Sequence, residues 1–344
     1  MNLLWESGTA YDFFISLDVL HHPGLFGLRP SWAAGMRSRL NPQRREFLEF
    51  AQQFLLVPLA WLHQLPAGSK TVESALTALA TLPPQEILPT LTFSPDLNAE
   101  TARSLRQMLG SHVDPDTLAV IYRSREPNLR RDTLEAMSRA WQSPLEFGQR
   151  YLEALRAYQD CFFAEEEKRI APCLQSGLEA ARRRAEQLPL TAVLDELTHG
   201  LEFDRAVLQD ELVLCPSYWS SPLVYFGQVK PGRMMLVFGV RGANEGIVPG
   251  DVPPTALVDA LKALADPTRL RILRYLAGQP LTPSELAKRL RLRPPTIVHH
   301  LNELRLAGVV RISVNASGDR RYTLRREGLE DTLAVLQGFL AEDK

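Results

Sequence analysis

Apolar residues recur at helical spacing through the first two hundred positions. From Thr9 to Leu20, the residues Phe13, Phe14, Leu17 and Leu20 fall on one side of a helix, and His21-His22-Pro23-Gly24 stops it. Asn41-Pro42 opens the next long helix, an N-cap side chain followed by proline at the first helical position. Asp114-Pro115 repeats the device. Ser143-Pro144 starts a long charged helix running toward Arg184, with a kink or division expected at Pro172.

The texture changes at Leu201. Glu211 to Cys215, Leu223 to Val229 and Met234 to Val240 are short runs rich in Val, Leu, Tyr and Phe. Pro216-Ser217 and Lys230-Pro231-Gly232-Arg233 separate them, as strands and hairpins require. The pattern predicts a mainly helical body closed by a small antiparallel sheet. Arg241 to Pro254, rich in Gly and Pro, reads as a linker. Two domains follow: residues 1–250, a helical body suited to sensing or dimerisation, and residues 255–344.

The second domain is patterned more sharply. Thr255 to Leu264 forms a short amphipathic helix. Asp266-Pro267 caps and opens another, with Leu270, Leu273 and Leu276 inward and Gly278 at its end. Thr282-Pro283-Ser284-Glu285 is a capping box leading through Leu286 and Leu290. A basic turn, Arg291-Leu292-Arg293, precedes a helix on which Ile297, His300, Leu301 and Leu304 share one side. Val310, Ile312 and Val314 alternate as a strand, Asn315 to Asp319 turn, and Arg321 to Leu324 return. A last helix from about Gly328 carries Leu329, Leu333, Leu336 and Leu340. Two short helices, a tight turn and a β-hairpin make a winged helix-turn-helix. The fold class is therefore mainly α (α+β).

Charge sharpens this division. The chain as a whole carries −1, but residues 262–326 hold 14 Lys and Arg against four acids, a net +10 that leaves −11 elsewhere. A basic module on an acidic body is the footprint of a polyanion binder. With Ile297, Leu301 and Leu304 holding the second helix to its domain, the opposite face presents Thr296, Val298, His299 and Asn302. Asn bonds adenine bidentately, Thr and Val meet a thymine methyl, and His donates to a base or phosphate. Arg320 and Arg321 at the hairpin reach phosphates or the minor groove. The expected partner is double-stranded DNA.

Other chemistry is sparse. Three cysteines, Cys161, Cys173 and Cys215, form no CxxC pair, so neither a disulfide scaffold nor a zinc knuckle is expected. Met1-Asn2-Leu3-Leu4-Trp5-Glu6 lacks a basic leader, and the apolar stretch Phe54 to Leu62 is too short to span a membrane. A cytoplasmic protein without membrane partners is the expectation. No Walker loop, GxSxG, HExxH or GxGxxG occurs, and His63, His112 and His199 stand alone, so no catalytic residue, cofactor or metal is expected. The alternative is an enzyme in the N-terminal domain with the winged helix appended. Tyr218, Trp219, Tyr225 and Phe226, on or near the sheet, are the candidate lining of a small-molecule pocket.

The runs Ala263-Leu264-Ala265-Asp266-Pro267-Thr268-Arg269-Leu270-Arg271-Ile272-Leu273 and Thr296-Ile297-Val298-His299-His300-Leu301 resemble the ArsR family of bacterial winged-helix repressors over residues 255–340. The order of body and module, with Leu214-Cys215-Pro216-Ser217, also resembles actinobacterial-type regulators bearing an uncharacterised helical domain. The resemblance implies a repressor that binds a near-palindromic operator as a homodimer. Pairing would run through the flanking helices, with Leu257, Leu261, Leu329, Leu333, Leu336 and Leu340 at the interface. The family's metal sensors carry a Cys pair on the first helix of the motif. Thr282 to Leu290 has neither Cys nor His, which argues against metal sensing there. Arg293-Pro294-Pro295 stands where the family often has a polar cap, which makes Arg293 a candidate phosphate contact. A small-molecule effector would act on the N-terminal body.

Overall fold

The computed structural model of the chain describes residues 2–341 except Gly27, Ser69, Pro222 and the segments 122–129, 204–209, 242–254 and 315–319. The expected linker, beyond Arg241, and the turn Asn315 to Asp319 therefore lie outside the described residues. The body is built around the helix Thr9–His21, in which every residue from Ala10 to Leu20 except Asp18 is buried. The sequence shows an apolar stripe there, but the structure surrounds the helix on all sides, as a helix apolar nearly all round requires. Helices Pro30–Arg37, Leu59–Gln64, Val72–Thr81 and Ala164–Gln187 pack against it.

Two polar side chains travel into the core with this helix. Ser16 donates to the Phe13 carbonyl at 2.8 Å and meets the Tyr158 hydroxyl at 2.8 Å. Asp12 Oδ1 accepts from Ser217 Oγ at 2.7 Å and from the Trp219 N–H at 2.8 Å, tying helix to sheet. At the N-terminal end of the helix, Glu167 accepts from Thr9 Oγ1 and from the Val72 N–H. One carboxylate thus sits at the positive ends of two helices.

The proline-led starts appear as expected. Asn41 accepts from the Arg44 N–H at 2.9 Å and Asp114 from the Asp116 N–H at 2.8 Å. The long charged helix runs Pro144–Tyr158 and Ala164–Gln187 with a π-helical segment, Gln159–Phe163, between them. Pro172 lies inside the second part without dividing it. The register shifts at the π segment instead, where Phe162 and Phe163 both turn into the core.

The body's sheet corrects the expectation of an antiparallel one. Its strands are β1 (Asn2–Trp5), β3 (Glu211–Ser217), β5 (Arg233–Gly239) and β4 (Tyr225–Lys230), in that order; β2 (Leu201–Phe203) belongs to another sheet. β1 and β5 run parallel to β3, and only β4 and β5 form a hairpin, turning at Pro231-Gly232 with Gly232 at φ 75°. The sheet is buried on both faces. Val213, Cys215, Met235 and Val237 face the main core, and Leu212, Leu214, Leu236 and Phe238 face a second one. Such strands read as continuous apolar runs, the texture of parallel strands buried on both faces, although the turn residues between them suggest hairpins.

Asp12 supplies a test of this core. Burial, opposed in part by its hydrogen bonds to Trp219 and Ser217, lifts its carboxyl to about 7. The folded chain thus binds this proton more tightly than the unfolded chain. Its stabilising contribution is complete below about pH 4 and is lost as pH rises through 7. Asp12→Asn keeps the acceptor and removes the ionisation. Thermal melts of variant and wild type should differ least below about pH 4, diverge progressively up to about pH 7 and keep a constant gap above it, with the variant the more stable.

Candidate nucleic-acid interface

The C-terminal module forms from local signals in the expected order. Asp266 caps Pro267–Leu276 by accepting from the Arg269 N–H at 2.9 Å. Pro283–Leu290 opens with both halves of its capping box made: the Glu285 N–H to Thr282 Oγ1 at 3.3 Å and the Thr282 N–H to Glu285 Oε2 at 2.7 Å. Arg291 then takes the left-handed conformation, φ 57°, and reverses the chain. Pro294–Leu306 follows with no side-chain cap. Pro295 at its second position has no N–H, so one of the two donors a side-chain cap would serve is missing, and the other, the Thr296 N–H, reaches the Arg293 carbonyl at 3.0 Å.

Ile297, Leu301 and Leu304 of this helix are fully buried with Ile272, Leu286 and Val309. The opposite face is open: Thr296, Val298, His299 and Asn302 are exposed, as is Arg293 just before the helix. His300 is half-buried at the edge, and burial lowers its proton affinity. Strands β6 (Val310–Val314) and β7 (Arg320–Leu324) pair antiparallel, Val310 opposite Leu324 and Val314 opposite Arg320. Arg320 and Arg321 are exposed at the tip end of β7. Leu281 pairs with Tyr322 on the far side of β7 through bonds of 3.0 and 2.9 Å.

One part of the wing has no local sequence signal. β2, from the far end of the body, adds parallel to β6 with Leu201 opposite Ile312 and Phe203 opposite Val314. Beside it, Arg311 pairs with Asp195 at 2.9 Å.

The flanking helices are Thr255–Leu264 and Arg326–Ala341. Leu257 is buried within the protomer, and Leu329 packs partly against the module's own core. Leu261, Leu333 and Phe339 are exposed, Leu333 at 57%, and Leu336 is half-buried. The side chain of Leu340 lies outside the described residues.

The four aromatic candidates in the body divide between two environments. Tyr218 and Trp219 are buried, Tyr218 taking a hydrogen bond from Arg169 at 2.9 Å and Trp219 stacking on Trp32. Tyr225 and Phe226 are half-buried, Tyr225 donating to Asp18 and Phe226 packing on Phe203. Among the described residues no group of three or more His, Cys, Asp or Glu could hold a metal, and no helix is long and apolar enough to cross a membrane.

Comparison with known proteins falls on this module. A family model described as a helix-turn-helix domain matches residues 264–312. The transcriptional repressor SdpR of Bacillus subtilis (strain 168) is 35% identical over 83 residues, 24% of this chain and 90% of that protein. The chain belongs to the ArsR family of transcriptional regulators. Among solved structures, an ArsR-like transcriptional regulator from Rhodococcus sp. RHA1 shares 33% identity over 25% of this chain and 79% of its own, with a TM-score of 0.23. An ArsR family transcriptional regulator shares 30% over 27% and 98%, with a TM-score of 0.22. This family member is a DNA-binding transcriptional regulator that carries an additional helical domain ahead of its winged helix.

Arg291 offers a check on the turn geometry. A side chain in the left-handed region costs about 1 kcal/mol that glycine avoids. Arg291→Gly should therefore raise the melting temperature. A lowered one would mean that the arginine side chain stabilises the turn by more than the backbone strain costs.

Proposed function

We propose that this regulator is a repressor that binds a near-palindromic operator as a homodimer, with the N-terminal body taking the regulatory input. The observation that carries the reading is the exposed row Thr296, Val298, His299 and Asn302, on a helix whose other face is locked into the core. Asn302 and His299 read base edges, Thr296 and Val298 meet thymine methyls, and Arg293, Arg320 and Arg321 neutralise phosphates. SdpR, most of whose length the module matches, is a repressor by name, which supports the sign of regulation.

Dimerisation through the final helix is supported by the exposed apolar side chains of Leu333 and Phe339 beside Leu336 and Leu261. A two-fold dimer presents two such helices and so selects half-sites about one helical turn apart. For the body, a small-molecule effector near Tyr218 and Trp219 is supported by side-chain atoms left without a partner among the described residues. These are Asp12 Oδ2, Trp219 Nε1, Ser220 Oγ and Ser221 Oγ, all buried. A small polar ligand would satisfy them, because buried donors and acceptors are costly when unpaired. A cytoplasmic setting fits this role.

Anisotropy titrations of operator and scrambled duplexes at several salt concentrations separate readers from clamps. Asn302→Ala should remove about 1–3 kcal/mol of discrimination at one base position and leave scrambled binding nearly unchanged. Changing Arg320 and Arg321 to Ala should weaken both duplexes alike and flatten the salt slope by about one unit for each phosphate no longer neutralised. The opposite pattern would reverse the assignment. For assembly, Leu333→Asp with Leu336→Asp should shift the full chain to monomer in sedimentation, since burying two carboxylates costs several kcal/mol. A variant that stays dimeric would place the interface elsewhere.

A further inference from the structure

Strand β2 is three residues long and reaches two cores. Leu201 packs against the core of the DNA-binding module. Phe203 packs with the body's second core, its ring 4.5 Å from that of Phe226 on β4. Between these anchors the backbone is paired with β6, and the Ile312 N–H reaches the Gly200 carbonyl at 3.0 Å.

The approach to the strand is built for close contact. Thr198, at the end of the helix Leu190–Thr198, accepts from the Leu201 N–H at 3.0 Å and so sets the direction in which the chain leaves. His199 and Gly200 then both take positive φ, 53° and 91°. A Cβ on Gly200 would lie 2.8 Å from Arg325 Cδ and 3.6 Å from the Arg311 backbone, so the module closes directly on this glycine. Asp195, on the same helix, holds Arg311 of β6 at 2.9 Å.

A two-stranded hairpin is marginal alone, and an edge strand is free to change its twist. β7 is supported on its far side by Leu281, whereas β6 has β2 as its outer neighbour. The arginines at the tip end of β7 are placed by the ladder with β6, Val314 opposite Arg320 and Ser313 opposite Arg321. The orientation of those arginines is thus set through a strand that the body supplies.

We propose that Leu201–Phe203, with Asp195, is a positioning element through which the N-terminal body sets the wing for its contacts with DNA phosphates. This rests on the DNA-contact reading of Arg320 and Arg321 given above. It makes Phe203, which packs in the body's core, a determinant of DNA affinity. It also gives the body's sheet a route to the wing, from Phe226 through Phe203 to β6.

The test uses the full chain and anisotropy with a mixed-sequence duplex across about 50 to 200 mM salt. Phe203→Ala should weaken binding about two- to thirtyfold and make the salt slope shallower by about one to two units as the wing arginines leave their phosphates. Asp195→Asn should change both in the same direction. In a background of Arg320→Ala with Arg321→Ala, neither substitution should weaken binding further, a coupling that a general drop in stability would not produce. Wild-type affinity and slope in both variants, or an undiminished weakening in the wing-deficient background, would overturn the proposal. If circular dichroism shows Phe203→Ala unfolded, Asp195→Asn decides alone, since that ion pair is partly solvent-exposed. A wild-type chain that fails to bind the duplex sinks the DNA reading itself and this link with it.

Discussion

A helix with no solvent face is the constraint from which the rest of the body follows. Thr9–His21 can exist only if other elements cover every side of it, and four helices and a sheet do so. Its two inward polar groups must then be answered from within. Ser16 is answered by Tyr158 and a carbonyl, and Asp12 Oδ1 by Ser217 at the end of β3 and the Trp219 N–H just beyond it. The second requirement fixes where the sheet lies, because Ser217 and Trp219 have to arrive beside Asp12. Sheet position, in turn, puts Phe226 against Phe203 and so brings β2 to the wing.

Where structure is decided within a few residues, the sequence was readable. Asn41-Pro42, Asp114-Pro115, Asp266-Pro267 and the capping box at Thr282 and Glu285 each begin a helix where the side chains say one should. The exposed face of Pro294–Leu306 was equally legible, since Ile297, Leu301 and Leu304 leave only one other side to present. The same holds for the mainly helical class and for the winged helix as a whole.

Where structure is decided by partners far along the chain, it was not. β1 is four residues long, too short to show alternation, and its partner β3 begins at Glu211. The strands after Leu201 are visible, and their continuous apolar runs fit burial on both faces, but the turn residues between them point to hairpins, whereas β3 and β5 pair in parallel. β2 pairs with a strand more than a hundred positions away, and nothing in Leu201–Phe203 itself announces this. Pro172 is the converse case. A proline inside a helix was tolerated, while the real irregularity arose at Gln159–Phe163, where two phenylalanines turn inward together. Of the aromatic quartet, the sequence could not say that Phe226 serves the second core and Trp219 the first.

The parallel pairing of β1 with β3 also imposes an order of events during synthesis. Asn2–Trp5 leaves the ribosome long before Glu211–Ser217, so the earliest strand of the sheet must wait, unpaired and apolar, while the helices are made. Contacts that close such long loops form slowly, and waiting strands are open to wrong partners. The body's central helix shares that wait, because Asp12 has no Ser217 or Trp219 to hold it until the same stretch emerges. The strand β6 follows about seventy residues after β5, so the body's sheet can close before the wing is made, and a ribosome stalled before β3 holds a body that cannot be complete.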